Sequence, residues 1–383
     1  MAEREVIVVG AGPTGAAAAV SLAQMGRDVL LLDRQQFPRD KACGDGIPAS
    51  AVDLLFSLGL KEKFQAANFY PVHKLSIFSP RGMRLSADLK ESESGAHAHV
   101  IPRLQFDALL QEHAVACGAE FRQAQVKEPL LEDGRVAGVR ARLNGQLQDI
   151  RARIVIAADG VTSTIGRALR RETHQDGHRA IALRAYIEDI VELPHEVEFY
   201  LYKAILPGYA WIFPLGEGRA NIGLGMRLDR FRQVKQGLEE MLQSFLAMPA
   251  VKERLRHGGQ LRDIATWQLN FGSQKKLQHA FDGALLTGDA AGFINPLTGG
   301  GIHNGMLSAR IAADVVDDAL RHNDLSRRRL QAYEQLCDAA MARDMNRAYF
   351  LHRLLLHFPF IVDLIVRWAG NDSHLAKIFI EKL

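Results

Sequence analysis

The sequence has few cysteines, little net charge and no long apolar run, and each shortage excludes a class of protein. The three cysteines among 383 residues, Cys43, Cys117 and Cys337, are odd in number and widely spaced. They indicate neither a disulfide framework nor a zinc site, and no metal is expected. A net charge of +3 gives no electrostatic reason to expect nucleic acid as a partner. No stretch of about 20 apolar residues could form a helix that spans a bilayer.

The remaining composition is that of an ordinary globular protein. Apolar residues make up 48% and charged residues 24% of the chain. The length suits two or three compact units. Ala2 to Glu5 leads directly into a predicted strand, so no signal peptide is expected and we expect a cytoplasmic protein.

The N-terminus carries a dinucleotide-binding pattern. A β-branched run at 6–9 is followed by G-x-G-x-x-G, formed by Gly10, Gly12 and Gly15, then an alanine-rich helical stretch and a second strand that ends in Asp33. In this pattern Gly10 makes the turn, Gly12 lets the backbone reach a pyrophosphate, and Gly15 packs the helix against the strand. Asp33 stands 18 residues after Gly15, where its carboxylate can accept hydrogen bonds from ribose hydroxyls.

A polar loop at 34–46 contains Cys43, next to glycines and close to Lys41. Nearby cations and a following helix start would both lower the pKa of this thiol and make it a proton donor or nucleophile. A small packing residue is the alternative, and the sequence alone does not choose between them. Cys117 and Cys337 lie in helical patterns and are predicted to be inert core residues.

Two later segments end buried strands with an acid and glycines. The strand at 153–157 ends in Ala158-Asp159-Gly160, and the strand at 283–286 runs into the glycine-rich stretch at 287–301 before a helix that begins near Ile302. Glycines permit close approach of the backbone to a ligand, and a helix start offers unpaired N–H groups. A glycine-rich connector is the alternative for the second segment.

From about residue 178 the pattern changes to alternating strands. An antiparallel sheet is predicted, followed by a covering helix at 231–255 and one more strand at 261–269. Tyr209, Trp211 and Phe213 stand at period two and therefore on one face. Three aromatic side chains on one face either form a plain sheet core or line an apolar site.

The C-terminal stretch at 348–369 is rich in Leu, Ile and Phe and is interrupted by Pro359. Three interpretations are open: its helices close over an apolar cavity, lie on a membrane surface, or dock on the core in the ordinary way.

These motifs together resemble a known family. Gly10 to Gly15 with Asp33, the Asp159-Gly160 strand end, and Gly288-Asp289-Ala290-Ala291-Gly292 resemble the FAD-binding triplet of the p-hydroxybenzoate-hydroxylase-like flavoproteins. Within that group the chain looks most like the geranylgeranyl reductase family. That likeness lies in the segments at 41–46, 209–214 and 295–302. Aromatic hydroxylases usually carry a histidine where this chain has Gly292. Flavin halogenases carry a Trp-x-Trp-x-x-Pro variant, whereas the first aromatic here is Tyr209.

The resemblance implies a fold and a site. The implied fold class is α/β with an α+β second domain: a Rossmann-like FAD-binding domain (1–70, 100–175 and 276–330), an inserted antiparallel-sheet substrate domain (71–99 and 176–275) and a C-terminal helical segment (331–383). Substrate-binding residues would be Tyr209, Trp211 and Phe213, lining an apolar tunnel, and Cys43 would be catalytic. The implied FAD-binding residues are Gly10, Gly12, Pro13, Thr14, Gly15, Asp33, Arg34, Cys43, Gly44, Arg103, Val126, Asp159, Gly160, Gly288, Asp289, Pro296, Gly299, Gly300, Gly301 and Ile302.

The resemblance also implies an activity: reduction of carbon–carbon double bonds in a polyprenyl or similar lipophilic substrate by hydride from reduced FAD. The electron donor would be NAD(P)H or a ferredoxin, the latter a redox partner protein, and peripheral membrane contact is possible for such a substrate. Two rival functions stay open. One is a flavin monooxygenase that uses NAD(P)H and oxygen on an aromatic or polyene substrate, and the other is a non-catalytic lipid carrier that contains FAD.

Overall fold

A computed structural model describes residues 3–191, 195–203, 208–275 and 277–369, with the side chains of 256–258 excepted. Strands, in chain order, are Arg4–Val9 (β1), Val29–Asp33 (β2), Gly46–Ile47 (β3), Tyr70–Val72 (β4), Lys74–Phe78 (β5), Arg84–Asp88 (β6), Ala98–Val100 (β7), Glu120–Gln123 (β8), Gln125–Glu132 (β9), Arg135–Leu143 (β10), Gln146–Ala157 (β11), Arg179–Ile190 (β12), Glu196–Tyr200 (β13), Gly208–Gly216 (β14), Arg219–Arg227 (β15), Leu255–Asn270 (β16), Ala280–Phe281 (β17) and Ala284–Leu286 (β18).

Helices occupy many of the connections between these strands and the chain that follows β18. In chain order they are Pro13–Gln24 (α1), Ala49–Ser57 (α2), Lys61–Ala66 (α3), Arg103–Ala116 (α4), Thr164–Leu169 (α5), Leu228–Phe231 (α6), Leu238–Leu246 (α7), Pro249–Lys252 (α8), Gly288–Ala291 (α9), Ile302–Arg321 (α10), Arg327–Leu330 (α11), Ala332–Cys337 (α12), Arg343–His357 (α13) and Phe360–Ala369 (α14). A single 3-10 turn precedes β12, and a π-helical turn joins α12 to α13.

A largely parallel sheet forms the first layer, in the strand order β17-β18-β11-β1-β2-β8. The pairs of β1 with β2 and β11, of β11 with β18 and of β2 with β8 are all parallel. Residues 6–9 of β1 are buried, as a β-branched central strand covered on both faces requires. Helix α1 lies against α10 and α4, and Ala16 to Ala19 are fully buried in that contact.

An antiparallel sheet forms the second layer, in the order β16-β12-β15-β14-β13-β5-β6, and only β13 and β5 pair in parallel. The small sheet β3-β7-β4 joins the two layers. Strand β14 alternates cleanly: Ala210 and Ile212 lie in the core under α7, whereas Trp211 and Phe213 lie on the opposite face with Tyr209. The α/β class and the period-two placement of the aromatic residues are confirmed.

The prediction of a single helix at 231–255 is wrong. Three short helices, α6, α7 and α8, occupy this region, and β16 begins at Leu255. Gly237 is the N-cap residue immediately before α7, and Pro249 is the first residue of α8. Both residue types favour a helix start over a helix interior, so the helical spacing of the apolar residues is divided among three short helices.

The C-terminal stretch forms two helices, α13 and α14, separated at Pro359 as expected. Among the described residues no single helix is long and apolar enough to cross a membrane. The pair made by Arg327–His357 and Phe360–Ala369 reaches the required length and composition only together, and it is bent by 107°. The part of the expected C-terminal segment after Ala369 lies outside the described residues.

Candidate active site

A cavity of about 450 Å³ opens where the parallel sheet meets the antiparallel sheet. One side is formed by the start of α1, by the loop before α2 and by the loop before α10. Strands β12, β14 and β16 form the other side. Among the residues expected to bind cofactor or substrate, those that line this cavity are Gly12, Pro13, Thr14, Cys43, Gly44, Arg103, Gly160, Asp289, Gly299, Gly300, Gly301, Ile302, Tyr209, Trp211 and Phe213.

The start of α1 is built to receive an anion. Gly12 is the N-cap residue, no side chain caps the helix, and its first turn contains no acid. The site that a β-carbon on Gly12 would occupy lies 3.4 Å from a guanidinium nitrogen of Arg39 and 3.7 Å from one of Arg103. Exposed helix N–H groups and two cations suit the pyrophosphate of a dinucleotide.

Both arginines are held by one buried carboxylate. Arg103 donates two hydrogen bonds to Asp107, at 2.6 and 2.7 Å, and Arg39 donates a third at 2.6 Å. Asp107 is fully buried, so the i,i+4 pair of Arg103 and Asp107 is more than a surface contact. The arrangement holds two positive charges against one negative charge beside Gly12. Arg39 was not identified from the sequence, where it was one of several basic residues in a polar loop.

Gly10 and Gly15 act through the backbone around them. A β-carbon on Gly10, whose φ is +97°, would lie 2.4 Å from the carbonyl oxygen of Ala158. One on Gly15 would lie 1.7 Å from the carbonyl oxygen of Gly10. Neither glycine lines the cavity, and both are needed for β1, α1 and β11 to approach one another.

The residues expected at the adenosine end lie outside the cavity, beyond the carboxyl ends of β1 and β2. Asp33 accepts hydrogen bonds from the amides of Ala11 and Gln35, each at 2.9 Å. Arg34 is exposed beside it, and Val126, the second residue of β9, pairs with Ala141 of β10. An extended ligand that starts at Asp33 would therefore pass the start of α1 before it enters the cavity.

Asp159 and Gly160 have separate roles. The Asp159 carboxylate accepts hydrogen bonds from the Ser163 hydroxyl at 2.5 Å and from the Thr164 amide at 2.7 Å, at the start of α5. It does not line the cavity, whereas Gly160, with φ at +81°, does.

The glycine-rich stretch forms a tight loop between α9 and α10. The backbone of Asn295 closes this loop with two hydrogen bonds, both at 2.9 Å. Its N–H donates to the carbonyl oxygen of Gly300, and its carbonyl oxygen accepts from the N–H of Gly299. Gly288, with φ at +55°, packs on Thr14, and Pro296 is buried in the turn. Asp289 faces the cavity 3.4 Å from Lys41, which the sequence indicated only as a neighbour of Cys43 and not as a partner of Asp289.

The antiparallel sheet presents an aromatic wall to this loop. We use that name for Phe199, Tyr209, Trp211 and Phe213, which pack on one another with ring centroids 5.2 to 6.2 Å apart. The Tyr209 hydroxyl donates to Thr298 O at 2.8 Å and so joins the wall to the glycine-rich loop. Trp267 lines the cavity beside it.

The expected low pKa of Cys43 is wrong. Burial raises the pKa of this thiol, and it outweighs the nearby Arg103 guanidinium and the hydrogen bonds from Arg103 and the Asp45 backbone, all of which lower it. Helix α2 begins at Ala49, six residues after Cys43, and is not among the causes that shift the pKa of the thiol. Cys43 therefore carries its proton at neutral pH, with an arginine against the sulfur.

A buried polar network supports the Cys43 loop from behind, and the sequence did not reveal it. Asn221 donates to Cys43 O and to Asp45 Oδ2, both at 2.8 Å, and accepts from Trp211 Nε1 at 2.8 Å. The Tyr186 hydroxyl donates to the same Asp45 oxygen at 2.7 Å. Burial raises the pKa of Asp45 to about 6, although Tyr186 and Asn221 act in the opposite direction. The one available signal was Asn221 itself, the single polar residue between Ala220 and Met226 in β15.

Comparison with known proteins agrees with this geometry. A family model described as an FAD binding domain matches residues 3–348. A digeranylgeranylglycerophospholipid reductase from Methanopyrus kandleri is 34% identical over 343 residues, which cover 87% of this chain and 81% of the relative. The chain belongs to the geranylgeranyl reductase family of FAD-dependent oxidoreductases.

One further relative by sequence and one solved structure are also similar to this chain. A menaquinone reductase from Mycobacterium tuberculosis is 32% identical over 93% of this chain and 84% of the relative. The crystal structure of a geranylgeranyl bacteriochlorophyll reductase-like protein from Thermoplasma acidophilum superposes with a TM-score of 0.85 at 26% identity, covering 99% of both chains. This geranylgeranyl reductase family member is thus an FAD-dependent enzyme. The uncapped N-terminus of α1 and the arginine pair Arg39 and Arg103 fit the charge of that cofactor. The glycines that line the cavity, which have no β-carbon, leave room for its shape.

Proposed function

We propose that this enzyme reduces carbon–carbon double bonds in the polyprenyl chain of a lipid. The observation that supports this most directly is the shape of the cavity. Glycine backbone on the cofactor side faces the aromatic wall across a cavity whose lining is mostly apolar. An isolated alkene offers no polar group to grip, so its orientation must come from packing in a dry site.

Reduced FAD held in this site would supply hydride chemistry to one alkene carbon, and the neighbouring carbon would need a proton from the protein or water. The residues of the chain hold both partners. The α1 start with Arg39 and Arg103 would hold the pyrophosphate, and Asp289 with the amides of the 299–302 loop would hold the ribityl chain and ring edge. The aromatic wall would orient the alkene and exclude water.

Cys43 is the proposed proton donor. Its thiol is protonated at neutral pH because burial raises its pKa, and Arg103 lies against the sulfur. Loss of the proton to the substrate carbon would leave a thiolate that the Arg103 cation stabilises. A Cys43→Ala variant should keep its FAD and lose most of its alkene reduction. Full activity with normal FAD content would remove Cys43 from this role.

Electrons must reach the flavin from outside the protein. The sequence carries no second dinucleotide motif, so we propose as donor either NAD(P)H bound transiently or a ferredoxin-type partner protein. Anaerobic flavin bleaching by NADH, NADPH or reduced ferredoxin, followed by absorbance, separates these donors by rate. Because a polyprenyl lipid partitions into membranes, we also propose a cytoplasmic enzyme that works at a membrane surface.

Mass analysis of lipids tests the reaction. Dithionite-reduced enzyme is incubated without oxygen with two substrates, a polyprenyl glycerophospholipid and a polyprenyl quinone. A product heavier by two hydrogens for each reduced bond is expected with at least one of them. An oxygenated product formed only with oxygen and NAD(P)H would instead indicate a monooxygenase, and a flavin that no donor reduces would indicate a lipid carrier.

A further inference from the structure

The C-terminal helical hairpin, α13 with α14, exposes an unusual set of apolar side chains. In the part of the chain that the structure describes, the exposed phenylalanines and tryptophans are Phe350, Phe358, Phe360 and Trp368, and all four lie in this hairpin. Exposed aromatic residues scattered singly are ordinary, but a concentration on one element marks an interaction surface.

Helix α14 is apolar on two faces. Val362, Val366 and Ala369 pack against Ile77, Leu85 and Ala87 of strands β5 and β6. On the other side Phe360, Leu364 and Trp368, at i, i+4 and i+8, are 55%, 58% and 68% exposed. We call these three residues the outer stripe. A soluble helix docked on a core would carry polar residues there, so the outer stripe has no role in the fold itself.

Two exposed cations, Arg353 and Arg367, lie on the hairpin that carries the outer stripe. The side chain of Arg81 beside the hairpin is 78% exposed, but its guanidinium lies 3.6 Å from the Asp363 carboxylate, so its charge is paired. The one acid of α14, Asp363, is buried and accepts a hydrogen bond from the Arg81 amide at 3.2 Å. Aromatic residues flanked by arginines complement a bilayer surface that carries anionic head groups.

The hairpin also adjoins the cavity. Leu75, Leu89 and Phe199 pack both against the cluster under α14 and against the cluster that contains Trp211 and Phe213. The same three residues line the cavity, so apolar side chains run without interruption from the aromatic wall to the underside of α14.

We propose that the α13–α14 hairpin docks the enzyme on an anionic lipid bilayer, with the outer stripe buried among the head groups. The lipid chain then enters the cavity past Leu75, Leu89 and Phe199. The inference rests on the proposed function, since it is a membrane lipid that must be delivered. The 107° bend between the helices suits a hairpin that lies in the interface.

Vesicle flotation tests the docking. The full-length protein is mixed with vesicles of phosphatidylcholine alone and of phosphatidylcholine with phosphatidylglycerol, at low and high salt. Binding is expected to be stronger to the anionic vesicles and to weaken with salt. The triple variant Phe360→Ser, Leu364→Ser, Trp368→Ser should lower the bound fraction at least about tenfold, because three apolar side chains lose their burial.

A matched control removes exposed apolar residues elsewhere. Leu131 and Leu147, each 56% exposed, lie on β9 and β11 away from the hairpin, and Leu131→Ser with Leu147→Ser should leave flotation unchanged. Thermal unfolding of all variants checks that these surface changes leave the fold intact. The double variant Arg353→Glu, Arg367→Glu should lose binding to anionic vesicles while retaining its weaker binding to phosphatidylcholine.

Activity separates this inference from the reaction itself. The outer-stripe variant should reduce a detergent-solubilised polyprenyl lipid at the wild-type rate and lose activity on the same lipid in vesicles. A wild-type protein that reduces the solubilised lipid but never floats would overturn the docking while leaving the reaction intact. Equal flotation of the outer-stripe variant, or a wild-type dimer that this variant dissociates, would also overturn it, the latter by showing a second copy on the face.

Discussion

The two sides of the cavity differ in the atoms that form their surface. On the cofactor side the surface is backbone, supplied by Gly12, Gly160 and the loop at 299–301. On the opposite side it is aromatic side chain, supplied by Phe199, Tyr209, Trp211 and Phe213. Backbone surfaces get their shape from local φ and ψ and from the absence of a β-carbon. Side-chain surfaces get theirs from whatever packs behind them.

What packs behind the aromatic wall comes from distant parts of the chain. A β-carbon on Gly223 would lie 2.2 Å from the Trp211 ring, and one on Gly44 would lie 3.3 Å from the Phe213 ring. Asn221 then fixes the Trp211 indole by a hydrogen bond. Replacing a glycine on the backbone side should therefore abolish FAD binding in one step. Replacing a residue at or behind the aromatic wall should instead lower catalysis or stability by a graded amount.

The largest effect is expected at Gly15. Gly15→Ala places a β-carbon 1.7 Å from the Gly10 carbonyl oxygen, and backbone cannot yield as a flexible side chain can. We expect purified protein almost devoid of FAD, measured as flavin absorbance per chain. Gly237→Ala is the matched control, since a β-carbon there meets nothing within 4 Å. A Gly15→Ala protein with full flavin content would contradict the backbone account.

A large effect on stability is expected at Asp45, behind the aromatic wall. Burial raises its pKa from 3.8 to about 6, so the folded protein holds this proton more tightly than the unfolded chain does. Its contribution to stability is fully present below pH 3.8 and is lost as the pH rises through about 6. At ~1.4 kcal/mol per pKa unit this amounts to about 3 kcal/mol.

Asp45→Asn removes that titration and keeps an acceptor for Tyr186 and Asn221. Asparagine also tolerates the φ of +62° at this position. In urea unfolding, the variant should gain about 3 kcal/mol on the wild type between about pH 4 and about pH 7. Asp133→Asn, an exposed turn residue with φ at +50°, is the control and should follow the wild type. Parallel pH profiles for Asp45→Asn and wild type would exclude a raised pKa.

An intermediate effect on catalysis is expected at Asn221. Asn221→Ala frees Cys43 O and leaves Trp211 Nε1 without its acceptor, so we expect kcat to fall about 10- to 100-fold with normal FAD content. In a Cys43→Ala background the same change should cost much less, because the positioned thiol is already gone. Asn270→Ala, buried and bonded to Val161 O at 3.2 Å, is the control. Additive losses would mean that Asn221 does not act through Cys43.

The smallest effect is expected at Tyr209. Tyr209→Phe keeps the ring in the aromatic wall and removes the hydrogen bond to Thr298 O, which is the one described link of this residue to the glycine-rich loop. A net hydrogen bond of about 1 kcal/mol predicts a change of about fivefold in KM or kcat. Tyr349→Phe, which loses a 3.2 Å bond to Gly177 O away from the cavity, should leave the kinetics unchanged. A loss as large as that of Asn221→Ala would show that the loop depends on this bond.

The contrast between locally determined backbone and side chains positioned by distant residues also explains which features the sequence predicted. The β1-α1-β2 unit and the helix after Gly301 depend on neighbouring residues. The second strand ends at Asp33 and the later helix begins at Ile302, both as predicted. The helix at 231–255 failed because Gly237 and Pro249 restart it. The Cys43 pKa depends on burial, which a loop sequence does not reveal. The bond between Asn221 and Asp45 joins residues 176 positions apart, and no local pattern encodes it.

The positions of the three tryptophans give the protein an optical property of its own. Trp211 and Trp267 line the cavity, and Trp368 is 68% exposed on α14. A flavin absorbs where tryptophan emits, so FAD in the cavity would quench the two inner indoles by energy transfer. The remaining emission would come mainly from Trp368 and shift to shorter wavelength when that ring leaves water. Fluorescence intensity would then report flavin occupancy, and its colour the surroundings of α14, in one unlabelled sample.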